Sequence, residues 1–192
     1  MRRLILILAT MACLGLTGCG SKMMQPVSPN EMNDSVSSEE TGIVFFRSTK
    51  ILGRAISYPI IEAGEDDKLS FVAIIPAGTK YLHKTTPGKH RFFVGSIAGS
   101  RYEMLEADME AGKTYYADVA PSMAYVYFTP VPDVTDKSFR KDLAGCDWVQ
   151  NTPEGEQWFL NNLPSLQTKY GMAKTVDRKI ILPEYGAVTP VR

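Results

Sequence analysis

The hydrophobic residues of this chain follow three patterns. A continuous apolar run covers Leu4–Leu16 near the start. Residues 42–131 instead carry short apolar and β-branched runs, separated by turn sequences such as Thr86–Lys89 and Glu110–Lys113. Strands that recur roughly every 8–12 residues between regular turns are typical of an antiparallel β-sandwich or barrel. Beyond residue 131 the spacing of apolar residues becomes helical.

We therefore expect a mainly β fold, an antiparallel β-sandwich at residues 42–131 followed by a C-terminal helical extension and tail at residues 132–192. The predicted strands are Gly42–Arg47, Ile56–Ile61, Phe71–Ile75, Thr79–Lys84, His90–Val94, Tyr102–Met109, Tyr115–Val119 and Ala124–Val131. In the second strand, Pro59 lacks an amide hydrogen, so we expect an edge strand or a bulge there.

Two helices are predicted in the extension. Asp133–Leu143 suits a short helix, and a longer one begins at Thr152 as N-cap with Pro153 at its first position. The longer helix has an apolar face formed by Phe159, Leu163, Leu166 and Tyr170. Pro164 interrupts this pattern, which predicts either a kink or two stacked helices. Residues 180–192 are expected to lie across the sheet as an extended segment.

The N-terminus combines Arg2 and Arg3, the apolar run and the sequence Leu16-Thr17-Gly18-Cys19. The run is shorter than the roughly 20 residues of a membrane span and suits a signal peptide. The Leu-Thr-Gly-Cys sequence resembles the lipobox of bacterial lipoproteins. That resemblance implies cleavage between Gly18 and Cys19, leaving residues 1–18 as a signal peptide. The alternative is a simple secretory signal with a chance cysteine.

The lipobox resemblance also implies how the mature chain is attached. Cys19 would carry a diacylglycerol thioether and an N-acyl chain such as palmitate, and several acyl chains together hold a protein stably in a membrane. Gly20 follows the cysteine where an Asp would resemble an inner-membrane retention signal. We therefore expect an outer-membrane location, on the periplasmic side of a bacterial envelope.

Residues 19–41 are expected to be the lipidated cysteine and a disordered tether. The segment is rich in Ser, Asn, Pro and Glu and shows no apolar period, so it has little surface to bury against the entropic cost of ordering. As a flexible chain, the 22 residues from 20 to 41 would span about 25 Å. The folded domain would then stand off the membrane.

Charge and cysteine content narrow the function classes. The 192-residue chain has 21 basic and 21 acidic residues, and loss of Arg2 and Arg3 leaves a charge of 19 − 21 = −2. This balance gives no reason to expect a nucleic-acid partner. Cys13 leaves with the signal and Cys19 is acylated, so Cys146 remains alone and no disulfide is expected within the mature chain.

Four short motifs within the sandwich region suggest a family. They are Gly42–Arg47, Gly53–Tyr58, Thr86–His90 and Glu110–Tyr116. Together they resemble a bacterial lipoprotein domain of unknown function, with the turn-and-strand repeat of PEGA-type β-sandwich modules. The resemblance implies a β-sandwich and carries over no catalytic residues. These motifs are turn chemistry, which specifies a fold better than a function.

Candidate reactive residues are few. Cys146 has Asp147 beside it, which disfavours a thiolate, so a buried structural thiol is expected rather than a nucleophile or an intermolecular disulfide. His83 and His90 flank a turn and could face each other as a metal pair, although strand positions are the simpler interpretation. A carboxylate within ligand distance of both histidines would favour a metal-dependent enzyme.

Two loops and one aromatic pair complete the candidates. The acidic cluster Glu62, Glu65, Asp66 and Asp67 is interpreted as a solvated turn rather than a calcium loop. The loop Gly95–Gly99 lacks the context of a nucleophile elbow. Strand alternation places Tyr125 and Tyr127 on one face. That face is either covered by the C-terminal helix or exposed as a candidate binding face for a glycan or a protein.

These patterns predict a lipid-anchored envelope lipoprotein that acts as a non-enzymatic binding or structural module. We expect no catalytic residues, no metal site and no cofactor. The membrane, through Cys19, is the expected first partner, and an envelope protein or a glycan the second. Two alternatives remain: an accessory subunit of an envelope transport or secretion complex, and a periplasmic hydrolase or metal-dependent enzyme.

Overall fold

The computed structural model describes residues 23–48, 54–95, 102–122, 125–174 and 178–188. The expected signal peptide, its expected cleavage site at Gly18 and Cys19, and most of the Gly95–Gly99 loop lie outside the described residues. The described part of the chain is mainly β with a C-terminal helix, as the sequence predicts.

Eleven strands of the described chain form two sheets. The six-stranded sheet has the order β1 (Met24–Pro26), β10 (Asp147–Asn151), β5 (Thr79–Thr85), β2 (Thr41–Arg47), β8 (Thr114–Pro121) and β9 (Val126–Pro130). The five-stranded sheet has the order β11 (Arg178–Ile181), β7 (Tyr102–Met109), β6 (Gly88–Gly95), β3 (Tyr58–Ala63) and β4 (Leu69–Ile75). The helices are α1 (Lys137–Ala144) and α2 (Pro153–Ala173), and a 3-10 turn follows at Pro183–Tyr185.

The two sheets pack face to face around one apolar core. The strand β2 lies near the middle of the six-stranded sheet, and all seven of its residues are buried. Ile43 and Phe45 point into the inter-sheet core, where the ring of Phe45 meets that of Phe92 edge-on at 5.1 Å. Because the opposite face of β2 is also covered, the strand is apolar on both sides, which explains the continuous run in the sequence.

Each sheet is also covered on its outer face. Helix α1 packs Phe139 and Leu143 against Phe46 and Tyr116 of the six-stranded sheet. Helix α2 covers part of the five-stranded sheet through the apolar face formed by Phe159, Leu166, Tyr170 and Ala173. Both helices begin at a side-chain cap. The Phe139 amide donates to Asp136 Oδ1 at 2.9 Å, and the Gly155 amide donates to Thr152 Oγ1 at 3.2 Å.

The sheets are mixed rather than purely antiparallel, which corrects the sequence prediction. In the described residues β2 pairs with β8, β10 with β5 and β11 with β7 in parallel. The chain between β2 and β8 passes through the other sheet, so strands far apart in sequence become neighbours. Side-chain alternation reports which face is buried and carries no information about strand direction. In addition, β10 and β11 belong to the region expected to be only a helical extension and a tail.

Residues 23–41 are not a free tether, which is a second correction. Met24 is buried in the core, and β1 pairs antiparallel with β10. Further along, the Asp34 carboxylate accepts a hydrogen bond from the Tyr116 hydroxyl at 2.6 Å, and the Gly112 amide donates to the Glu40 carbonyl at 2.7 Å. These bonds stabilise the segment without any apolar period, which is why its composition suggests disorder.

In the C-terminal region, the long helix differs from the sequence prediction and the tail agrees with it. Helix α2 is a continuous 21-residue helix that includes Pro164, so the prediction of two stacked helices is wrong. The described part of the tail, up to residue 188, does contact both sheets, because β11 pairs with β7 and Ala187 forms a bridge with Thr114. Among the described residues, no helix has the length and hydrophobicity needed to span a membrane.

Candidate functional site

A glutamate and both histidines meet at one end of the inter-sheet core. Glu62 lies on β3 and His90 on β6, both in the five-stranded sheet, whereas His83 lies on β5 of the six-stranded sheet. The Nε2–H of His83 donates to Glu62 Oε2 at 3.0 Å, and the Nδ1–H of His90 donates to Glu62 Oε1 at 2.6 Å. The Glu62 carboxylate therefore connects the two sheets.

The cluster is largely enclosed and packs on an aromatic ring. Relative to full exposure, the side chains of His83, His90 and Glu62 are 18%, 10% and 19% exposed. The ring of His90 stacks on Phe92, and the ring of His83 meets Phe92 edge-on. Strand alternation accounts for the position of Glu62, because Glu62 pairs with the core residue Phe92 between β3 and β6 and so faces the same side of the sheet.

The hydrogen bonds determine the charge state of His90. Its Nε2 lies 2.8 Å from the Thr86 carbonyl oxygen, while its Nδ1 faces Glu62. Both of these partners are acceptors, so both ring nitrogens must carry a proton to satisfy them. His90 is thus an imidazolium cation beside an ionised carboxylate.

The pKa values follow from these contacts. Burial alone would raise the pKa of Glu62, but the hydrogen bonds from His83 and His90 outweigh it and lower the pKa to about 2. Burial likewise opposes the charged form of His90, yet its bonds to Glu62 and Thr86 raise the pKa above 6.5. Glu62 and His90 are therefore both ionised under mildly acidic conditions.

In the hydrogen-bonded state that the structure shows, the three side chains form an ion cluster. His83, His90 and a carboxylate do lie close together, which is the condition that would favour a metal-dependent enzyme. However, a metal ligand needs a free imidazole lone pair, and both nitrogens of His90 act as donors to oxygen. Within the described ranges, no group of three or more His, Cys, Asp or Glu side chains has an arrangement that could hold a metal ion.

An open cavity of about 490 Å³ lies beside the cluster. Its wall combines three cations, the imidazolium of His90 included, with three acids and aliphatic side chains, all from β6, β7, β11 and the residue after it, and the β3–β4 turn. The lining residues are Glu65, Lys89, His90, Arg91, Glu106, Ala107, Asp108, Ile180, Ile181 and Leu182. Its size falls within the range of ligand pockets, roughly 300–1,000 Å³.

The acidic turn at the cavity edge is occupied by ion pairs. Asp67 adopts a positive φ of 61° and accepts a hydrogen bond from the Tyr170 hydroxyl at 2.9 Å. Its carboxylate also pairs with Lys174 and, at 3.4 Å, with Arg91. The bonds from Lys174 and Tyr170 lower the pKa of Asp67. Asp67 thus ties this turn to the end of α2.

Cys146 is a buried structural thiol. It is 4% exposed, and its sulfur lies 3.3 Å from the Asp142 carbonyl oxygen. Burial raises the pKa of this thiol to about 11, with Lys80 only partly opposing the effect. The thiol is therefore protonated at neutral pH, whereas a nucleophilic cysteine requires the thiolate.

Tyr125 and Tyr127 lie at the outer face of the six-stranded sheet. Their rings are 5.8 Å apart on and beside the edge strand β9, and both side chains are half-buried, whereas Val126 and Phe128 are buried as alternation predicts. The expectation that the C-terminal helix covers this face is wrong, because α2 packs against the other sheet. The pair is a partly exposed aromatic surface.

Comparison with known proteins adds no family. No protein-family model matches the chain, and no curated protein matches it at a significant level. The resemblance in turn motifs therefore remains an expectation.

Sequence reasoning places both histidines correctly as a pair but assigns Glu62 to the turn. Glu62 in fact follows Ile60 on the core-facing side of β3, where an acid needs a partner. That position in the alternation is the signal that identifies it. The sequence gives no comparable signal that Arg91 and the residues of β11 line one cavity, because β11 reaches that place only through its parallel pairing with β7.

Loss of the His90 charge should lower stability as the pH rises. Because the folded-state pKa of His90 is raised, its contribution is complete below the unfolded value of 6.5 and disappears as the pH passes the folded value. We expect the free energy of unfolding, measured by urea denaturation, to fall by about 1 kcal/mol as the pH rises from below 6.5 through the raised pKa of folded His90. A His90→Gln variant should lose this slope, while His83→Gln should keep it. Equal slopes in wild type and His90→Gln would contradict the assignment.

Proposed function

We propose that this chain is a lipid-anchored lipoprotein of the bacterial envelope whose folded part is a non-enzymatic binding module. The observation that carries the proposal is the order of the N-terminal signals. Arg2 and Arg3 precede the apolar run Leu4–Leu16, and Leu16-Thr17-Gly18-Cys19 ends it. Each signal stands at the spacing that a lipoprotein signal peptide requires.

The cell location is part of the same proposal. Cys19 would be acylated after cleavage at Gly18, and Gly20 in place of Asp favours the outer membrane on its periplasmic side. Two or more acyl chains provide a lasting anchor without a membrane-spanning helix.

The binding role rests on the 490 Å³ cavity and the strand beside it. Lys89 and Arg91 offer positive charge, while Glu106 and Asp108 offer negative charge, and Ile180 adds an exposed aliphatic side chain. Such a mixture fits an extended protein segment, which carries both charges and apolar side chains. It does not fit a polyanion.

The position of β11 supports the same partner class. This strand forms one edge of the five-stranded sheet, next to β7. A sheet edge presents backbone donors and acceptors to a further strand, and many peptide-binding domains use this mode. We therefore propose that an envelope protein supplies an extended segment along β11. The pair Tyr125 and Tyr127 is the second candidate surface, for which the partly exposed rings favour a glycan.

Acylation at Cys19 is tested by labelling cells with a palmitate analogue and by measuring the mass of the N-terminal peptide of the mature protein by mass spectrometry. Wild type should be cleaved before Cys19 and labelled, and Cys19→Ala should be neither. The matched control is Cys13→Ala, which lies within the signal peptide and should be processed as wild type. Normal labelling of Cys19→Ala would refute the anchor.

Partner binding along β11 is tested with a photo-crosslinking residue in the acylated protein in cells. A crosslinker at Ile180, which is 54% exposed, should capture a defined envelope protein, whereas one at Leu160, which is 58% exposed on α2, should not. Lys89→Glu should reduce the Ile180 product about threefold, as expected for the loss of one surface ion pair. Equal capture from both positions, or no effect of Lys89→Glu, would contradict the proposed surface. A product from Tyr127 instead would favour the tyrosine pair.

A further inference from the structure

A second, apolar groove lies where the two sheets meet at an open edge. The strands β1 and β4, each at the edge of its sheet, approach each other there beside the start of α2. The groove has a volume of about 380 Å³ and is lined by Met23, Ala55, Ile56, Ser57, Pro59, Ile74 and Trp158. All of these residues except Ser57 are apolar, in contrast to the mixed charges of the cavity beside His90.

The rim of this groove presents large apolar side chains to solvent. Ile56 is 47% exposed, and Trp158 is half-buried on the first turns of α2. Trp158 packs against the core and also lines the groove. An indole that is partly packed and partly open suits the boundary between protein, hydrocarbon and headgroups, where tryptophan is enriched in membrane proteins.

The position of the groove relative to the lipid site is limited by the chain itself. Met23 lines the groove, and its backbone is fixed, because its carbonyl oxygen lies against Gly155 so closely that a Cβ there would approach it to 2.5 Å. Met24 is buried and paired with Asn151. Cys19 precedes Met23 by four residues, and four extended residues span at most about 14 Å.

We propose that this groove face, defined by Met23, Ile56 and Trp158, lies on the membrane and inserts Ile56 and Trp158 into the interface. The inference rests on the proposed acylation of Cys19. With the anchor in place, contact of the face with the bilayer becomes an intramolecular step at high effective concentration, so a small apolar patch is sufficient. The folded part therefore lies against the membrane instead of standing about 25 Å away, as a free tether would allow.

Charge near the groove does not determine the contact. Arg54 is exposed close to Ile56, while the first turn of α2 carries Glu154 and Glu156. Together these three charges sum to 1 − 2 = −1, which gives no attraction to an anionic surface. The driving force is apolar burial, and the appropriate probe is a vesicle of zwitterionic phosphatidylcholine.

The two tryptophans of the chain provide the test. Trp148 is buried on the outer face of the six-stranded sheet near α1, and Lys80 covers its ring. Trp148→Phe leaves Trp158 as the single fluorophore, and Trp158→Phe leaves Trp148 as an internal control. Both full-length proteins are purified in the acylated form, checked by mass spectrometry, and reconstituted into phosphatidylcholine vesicles with or without brominated acyl chains.

Brominated lipid should quench Trp158 about twofold and leave Trp148 nearly unchanged, since bromine quenches only at contact distance and tryptophan settles at the interface. Ile56→Asp should reverse the Trp158 quenching without changing acylation, and Val188→Asp, at a 76% exposed site, should not.

Acylated protein whose Trp158 is not quenched would overturn the membrane contact and leave the anchor intact. That result is also expected if the acyl chain of Cys19 or a second copy fills the groove. Protein that carries no acyl group at Cys19 would overturn the anchor and this inference with it.

Discussion

The contact on which the rest of this account depends is the docking of residues 23–41 onto the sandwich. Met24 enters the core, the Val27 amide donates to the Trp148 carbonyl at 2.9 Å, and the Asp34 carbonyl accepts from Thr114 Oγ1 at 2.6 Å. Because these bonds fix the chain four residues after Cys19, they also fix which face of the domain is nearest to the proposed acylation site. The apolar groove lined by Met23 lies on that side of the sandwich, and the charged cavity beside His90 is lined by other residues.

Much of the sandwich is predictable because its local signals agree with its packing. Each strand predicted between residues 42 and 131 is present, all but Tyr102–Met109 with shifted ends, and Thr152 caps the long helix as expected. The continuous run at Gly42–Arg47 identifies a strand buried on both faces. Strand direction was not predictable, since β2 and β8 are brought together in parallel by a crossover that leaves no periodic signal. The short strand β10 was missed, because Asp147–Asn151 is brief and largely polar.

The candidate sites, too, were predictable only in part. The sequence identifies His83 and His90 as a pair, but their meeting point at Glu62 depends on β5 and β6 belonging to different sheets. The docked segment was mistaken for a tether, because composition measures available apolar surface and does not register single buried bonds such as that between Asp34 and Tyr116. In this chain, the features that sequence patterns predict least well are therefore polar residues that bond to specific partners.

The most direct test of the account is hydrogen exchange of the backbone amides in residues 23–41, read by mass spectrometry in the acylated protein. We expect peptides that contain Val27 to exchange far more slowly than an unfolded chain, because that amide is bonded within the fold. Gly155→Ala should remove much of this protection by pushing on the Met23 carbonyl, whereas Gly171→Ala, with open space around its Cα, should not. Exchange of residues 23–41 at the rate of an unstructured peptide in wild type would contradict the account.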